Sequence, residues 1–78
     1  MNTSDLLRLV EQTLKLKPNT LRGDENLRDV EGWDSMGTLN FITMADRKLG
    51  LALPGLEVAR CQTIAELISM LDRSRRAA

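Results

Sequence analysis

Apolar positions along the chain fall into clusters with helical spacing, interrupted by one long polar stretch. Between Ser4 and Lys17, Leu6, Leu7, Val10 and Leu14 recur at three- and four-residue intervals. Ser4 can cap the start and Pro18 stops the run, so the spacing predicts a first helix. From Pro18 to Trp33 the periodicity is lost. Pro, Asn, Gly and acidic side chains dominate, with Leu21, Leu27, Val30 and Trp33 scattered among them, the pattern of a long loop pinned to a core by four apolar anchors. Connections of this length are uncommon in compact domains and usually carry function. A second helix is expected from Asp34, whose carboxylate can cap the first turn, to about Leu49, with Gly50 as its stop. Its apolar arc reads Met36, Leu39, Phe41, Ile42, Ala45 and Leu49, which leaves Gly37, Asn40, Met44 and Arg47 for solvent. Pro54 can open a short third helix through Val58 and Ala59. In the last helix Thr63 and Glu66 form a capping box, and Ile64, Leu67, Ile68 and Leu71 give one stripe. The tail from Arg73 to Ala78 is expected to fray.

Composition narrows how such a chain can hold together. Its 78 residues allow a single domain, with an ordered core at about residues 4–72. A domain this short buries only about 60% of its unfolded surface, so it needs a disulfide, a metal or very regular helix packing. One cysteine and no histidine exclude an internal disulfide and a zinc or haem ligand set. Packing is what remains. The apolar fraction is 42%, with Trp33 and Phe41 as its two aromatics, and aliphatic residues of this kind favour helix over strand. The expected fold is all-α.

Eleven basic residues balance eleven acidic ones, so no net field draws the chain to nucleic acid or to an anionic membrane. Met1 to Asp5 carries no secretion signal, no run approaches the length of a membrane span, and the lone cysteine suits a reducing compartment. A soluble, cytoplasmic, monomeric protein is expected. With no histidine and no tyrosine, a serine or cysteine nucleophile has no neighbouring base, so the chain is not expected to be an enzyme. Asp24, Glu25, Asp29, Glu31 and Asp34 read as a solvated surface, and the five glycines are too scattered for a phosphate loop. Cys61 reads as core packing, Trp33 as a loop anchor, and Arg73, Arg75 and Arg76 as charges that compensate a helix dipole.

Asp34-Ser35 is set apart by its place, between an anchored loop and a buried helix. A serine in the first turn exposes its hydroxyl, and a phosphate ester on it would meet free backbone amides and the positive end of the helix dipole. By itself the dipeptide reads more simply as an ordinary helix start. The wider pattern changes that reading. Gly32-Trp33-Asp34-Ser35-Met36 followed by Leu39, Ile42 and Ala45, then Leu49-Gly50-Leu51-Ala52-Leu53-Pro54, then Thr63-Ile64-Ala65-Glu66-Leu67, resembles the acyl and peptidyl carrier protein family from Leu6 to Leu71. Met36 stands where the family has leucine in its Asp-Ser-Leu motif, Leu49 for a phenylalanine, and Ile64 for a valine, all apolar exchanges that cores tolerate.

The resemblance implies a right-handed four-helix bundle of three longer helices and one short one. Ser35, behind Asp34 at the helix start, would carry a covalent 4'-phosphopantetheine delivered from coenzyme A by a phosphopantetheinyl transferase. The arm's thiol would hold an acyl or aminoacyl group as a thioester, so the reactive sulfur belongs to the cofactor. Partners would be an acyl- or aminoacyl-activating ligase and a downstream synthase or transferase of fatty acid, polyketide or nonribosomal biosynthesis. Along the second helix Met36, Gly37, Asn40, Met44 and Arg47 are the candidate partner contacts. Fatty-acid carriers are acidic there, whereas residues 35 to 49 hold only Asp46 against Arg47 and Lys48, which points to a dedicated partner of a specialised pathway with a less basic surface. The alternative is an unmodified interaction module of the same fold, and a small helical nucleic-acid binder ranks behind both.

Overall fold

Asn2 opens the first helix two residues ahead of Ser4. Its side chain accepts the Asp5 amide at 2.9 Å while the Asp5 carboxylate accepts the Asn2 amide at 3.2 Å, a reciprocal cap that Ser4 cannot match from inside the helix. This computed structural model describes residues 2–77, so Met1 and Ala78, the last residue of the expected frayed tail, lie outside it. The helices are α1 (Thr3–Leu14), α2 (Ser35–Leu49), α3 (Gly55–Arg60) and α4 (Ile64–Ala77), with one 3-10 turn at Leu27–Asp29. The chain is a small all-α bundle of three longer helices and one short one. None of its described helices is long and apolar enough to cross a membrane.

Helix ends depart from expectation at three further places, each for a local reason. α1 stops at Leu14 because Lys15 turns left-handed (φ 60°), and the amides of Lys15 and Leu16 close back on Gln12 and Glu11. The stop is therefore a left-handed cap ahead of Pro18. Pro54 is the cap of α3 and not its first residue, so the helix starts at Gly55, one residue later than expected. α4 does not fray at Arg73. It continues to Ala77, with an exposed Asp72–Arg76 pair at 3.3 Å spaced one turn apart. Gly50 ends α2 in a left-handed conformation (φ 67°), as its sequence position implied.

The core is a single cluster. Leu6, Leu7 and Val10 from α1, Phe41, Met44 and Ala45 from α2, Val58 from α3 and Ile64, Leu67, Ile68, Met70 and Leu71 from α4 meet around Phe41, which is fully buried. α1 packs on α2 and α4, and α2 packs on α3. The long connection contributes Leu21, Leu27 and Val30, all buried, while Trp33 is half-buried against Phe41 in an edge-to-face contact of 5.7 Å. Backbone also stitches it down. Leu27 donates to Gln62 O at 2.8 Å and Ile64 donates to Glu25 O at 3.0 Å, so Asn26 and Thr63 form an antiparallel bridge at the head of α4.

One buried charge organises the start of that connection. Glu11, on the inner face of α1, accepts the amides of Asn19 at 3.1 Å and Leu21 at 2.7 Å. Arg8 Nε lies 2.7 Å from the same carboxylate, an ionic contact without an aligned hydrogen, and the guanidinium also donates to Leu21 O at 3.0 Å and to Asn19 Oδ1. Removing the carboxylate takes the acceptor from two amides, that of Leu21 buried, and the opposite charge from a part-buried arginine. Glu11→Ala is expected to cost on the order of 3 kcal/mol. Urea unfolding of the variant checks this, and an unchanged midpoint would show that the loop holds without it.

Candidate functional site

The second helix begins where the pinned connection runs out, and its first turn is assembled from Val30 onward. Trp33 donates to Val30 O at 3.2 Å, and Gly32, at φ 86°, turns its carbonyl to accept the Asp34 amide at 3.1 Å. Asp34 is extended and caps α2, its Oδ1 accepting the Gly37 amide at 2.8 Å. Its carbonyl takes both the amide and the hydroxyl of Thr38, at 2.8 and 2.9 Å. Asp34 is thus committed to holding the turn.

Ser35 is the first residue of α2 and is exposed. At this position neither its amide nor that of Met36 has an intrahelical carbonyl to bond. The Asp34 carboxylate, bonded to the Gly37 amide, offsets part of the positive end of the α2 dipole, and the first turn itself adds no further acidic residue. An exposed hydroxyl beside two free amides and a positive helix end suits a phosphodiester. The residues present fit attachment of a phosphate-linked group here.

Around this turn, two of the expected partner contacts are misplaced. Gly37 and Met44 are buried, Gly37 against the Gly32 carbonyl and Leu14, and Met44 in the core with Phe41 and Ala45. The inward arc of α2 is Gly37, Phe41, Met44 and Ala45, an i, i+4, i+7, i+8 series. That spacing is legible in the sequence, but glycine adds no hydrophobic signal to it, and Met36 and Leu39 draw the arc the wrong way. Both are exposed, at 65% and 58%. Asn40 and Arg47 face solvent as expected. On α3, Leu56 is 76% exposed, and it was not among the expected contacts. Its neighbour Gly55 lies near Ile42 of α2, where α2 and α3 pack together.

Beside the turn, Trp33 lines an open cleft of about 440 Å³ with Asn26, Leu27, Arg28, Cys61 and Gln62. Cys61 is half-buried and its thiol donates to Glu57 O at 3.4 Å. Burial pushes the thiol up, the Glu66 carboxylate adds to the shift and Arg73 opposes it. A raised thiol is a poor nucleophile at neutral pH.

A family model for the phosphopantetheine attachment site matches residues 4–71. The chain belongs to that family. The match spans all of the turn at Asp34-Ser35 and the hydrophobic core. Such a domain is the site of covalent 4'-phosphopantetheine attachment, and the chain is a phosphopantetheine-bearing carrier. Carriers of this family are non-catalytic and are modified by a phosphopantetheinyl transferase. No curated protein and no solved structure gives a significant match to the carrier.

In the modified carrier two thiols are present, and their reactivity should differ. Iodoacetamide at neutral pH is expected to alkylate Cys61 more slowly than a free cysteine, with the rate rising as pH is raised. Peptide mass mapping over a pH series checks it. Fast alkylation of Cys61 at pH 7 would overturn the assignment of this thiol as inert.

Proposed function

We propose that Ser35 is the residue that bears the arm, and that this carrier holds an acyl or aminoacyl intermediate as a thioester for partner enzymes of a specialised biosynthetic pathway. The observation that supports it most directly is the exposed Ser35 hydroxyl at the first position of α2, immediately behind a cap residue whose Oδ1 holds the Gly37 amide. When attached, the arm supplies the thiol on which the cargo is carried. The chain's own residues do the positioning. Asp34 fixes the turn, and the amides of Ser35 and Met36, which have no intrahelical acceptor, would be available to the phosphate of the arm.

The partner-facing surface in this reading is Met36, Leu39, Asn40 and Arg47 of α2 together with Leu56 of α3. Among the described residues, Met36, Leu39 and Leu56 are the exposed large hydrophobic side chains, and two of them lie within four residues of Ser35. The charges of α2 are few, with exposed Asp46 set against exposed Arg47 and Lys48 near its C-terminal end. Contact on this surface rests on apolar burial more than on charge, and the partner is a ligase, synthase or transferase whose surface is apolar and weakly charged.

Two measurements test these assignments. Treatment with coenzyme A and a broad-specificity phosphopantetheinyl transferase should add one arm to the protein, mapped to Ser35. Ser35→Ala should abolish the addition while leaving stability within about 0.5 kcal/mol, since the hydroxyl caps nothing. Labelling that survives in the alanine variant rules out Ser35, and a wild type that never gains mass leaves the unmodified interaction module. For the docking face, Leu39→Ala should lower kcat/KM of the modification about tenfold, a loss of about 1.4 kcal/mol. Asp46→Asn and a rise in salt from dilute to moderate should each change it much less. A steep salt dependence with Leu39→Ala silent would show that charge governs docking.

A further inference from the structure

Gly37 has no role in the motif around Ser35, yet it occupies the tightest spot in the turn. A Cβ added there would fall inside the contact distance of the Gly32 carbonyl oxygen, and would stand 3.1 Å from both the Gly32 carbonyl carbon and Leu14 Cδ2. Carbon and oxygen settle at about 3.3 to 3.6 Å even in their closest favourable contacts. The obstruction is backbone, which cannot swing aside as the end of a side chain can. Gly32 is itself held, at φ 86° and with its own Cβ position 3.3 Å from Leu14 O. The end of α1, the turn at Gly32 and the first turn of α2 are therefore in direct contact.

We propose that Gly37 is a positioning residue for the modification of Ser35, acting by letting the first turn of α2 seat on the Gly32 carbonyl. This rests on the assignment of Ser35 as the attachment residue. Ser35 lies between two points that the seat fixes. Asp34 donates to Gly32 O at 3.1 Å on one side, and Gly37 donates to Asp34 Oδ1 at 2.8 Å on the other. A methyl at position 37 pushes the turn off Gly32, and the serine between these points moves with it. In the reaction the Ser35 oxygen bonds to the phosphorus that bears pantetheine in coenzyme A. The bond from that phosphorus to the bridging oxygen breaks, adenosine 3',5'-bisphosphate leaves, and the serine proton passes to a base on the transferase. In-line displacement of this kind is sensitive to placement, and about 1 Å of error can cost on the order of 100-fold.

The test is the time course of arm addition by a broad-specificity phosphopantetheinyl transferase with coenzyme A, followed by intact mass on the full chain. Gly37→Ala should lower kcat at least tenfold with KM for coenzyme A unchanged. The deficit should persist at low temperature, where circular dichroism shows the variant folded, and amide shifts should be confined to residues 32–38 and the end of α1. A folded Gly37→Ala modified at the wild-type rate overturns the proposal, as does a deficit that vanishes once the variant is fully folded. Should Gly37→Ala fail to fold, Leu14→Ala decides. It loosens the same seat without adding an atom and should slow modification a few-fold with shifts at Gly32 and Gly37, and an unchanged rate and spectrum would count against the seat. Peptide mapping of the wild type separates the two readings: an arm on a residue other than Ser35 defeats the attachment assignment, whereas an arm on Ser35 with no effect of Gly37→Ala defeats only this one.

Discussion

A carboxylate inside an apolar core has to be answered by donors, and in this bundle the donors come from the segment that most needs to be held. Glu11 takes the amides of Asn19 and Leu21 and the guanidinium of Arg8. An ion pair at such a place contributes little net stability compared with apolar packing of the same volume. It does choose a conformation. Leucine at position 11 would bury as well, but it would give residues 19 to 21 no reason to lie at one place on α1. The polar network sets the path of a chain that has no periodicity of its own, and the buried Leu21, Leu27 and Val30 then secure that path by area.

The connection is held by different physics at its two ends. At its start the constraint is electrostatic, at Glu11. At its end it is steric, where Gly32 and Gly37 bring backbone against backbone beside Leu14. Between them the Asn26–Thr63 bridge ties the middle to α4. Glu25 joins this stitching. Burial raises its carboxyl, but the amides of Arg22, Gly23 and Glu25 itself, with the Arg22 charge, outweigh that and leave it below its ordinary value. A lowered carboxyl stabilises the turn above the unfolded value and loses that contribution as pH falls through the folded one. Both attachments of the connection touch α1, so α1, which carries no candidate functional side chain, governs where α2 begins.

Much of this was legible in the residues. The apolar spacing located four helices, and Asp34 and Gly50 marked both ends of α2 because cap chemistry is local. The four loop anchors were also readable, since apolar side chains in a polar stretch have few other uses. What escaped was rotation and exchange between equivalent caps. α2 is apolar over so much of its circumference that hydrophobicity alone does not orient it. Its true inward edge is marked by a glycine, which is buried for closeness of approach and not for transfer free energy. Asn2 displaced Ser4 because Asp5 could return the hydrogen bond, a cooperation between two residues that neither shows alone. Glu11 was invisible as a buried group because nothing in its neighbours signals that loop amides fold over it.

Rotation of α2 also changes how its surface has to be understood. With Met44 inside, no methionine is spare on a polar strip, and Met36 and Leu39 are left in water beside Ser35. A domain of this size has little apolar surface to leave unburied, because its core is its whole source of stability. Turning Gly37 inward and two large apolar side chains outward is therefore a poor arrangement for an isolated bundle. It becomes a sensible one if a second surface covers them whenever the serine is in use. Leu56 on α3, next to Gly55, which lies near Ile42 of α2, adds a third exposed large apolar side chain beyond α2. With only Asp46, Arg47 and Lys48 charged along α2, all near its far end, these apolar side chains rather than a charge pattern distinguish the side of the bundle that presents Ser35.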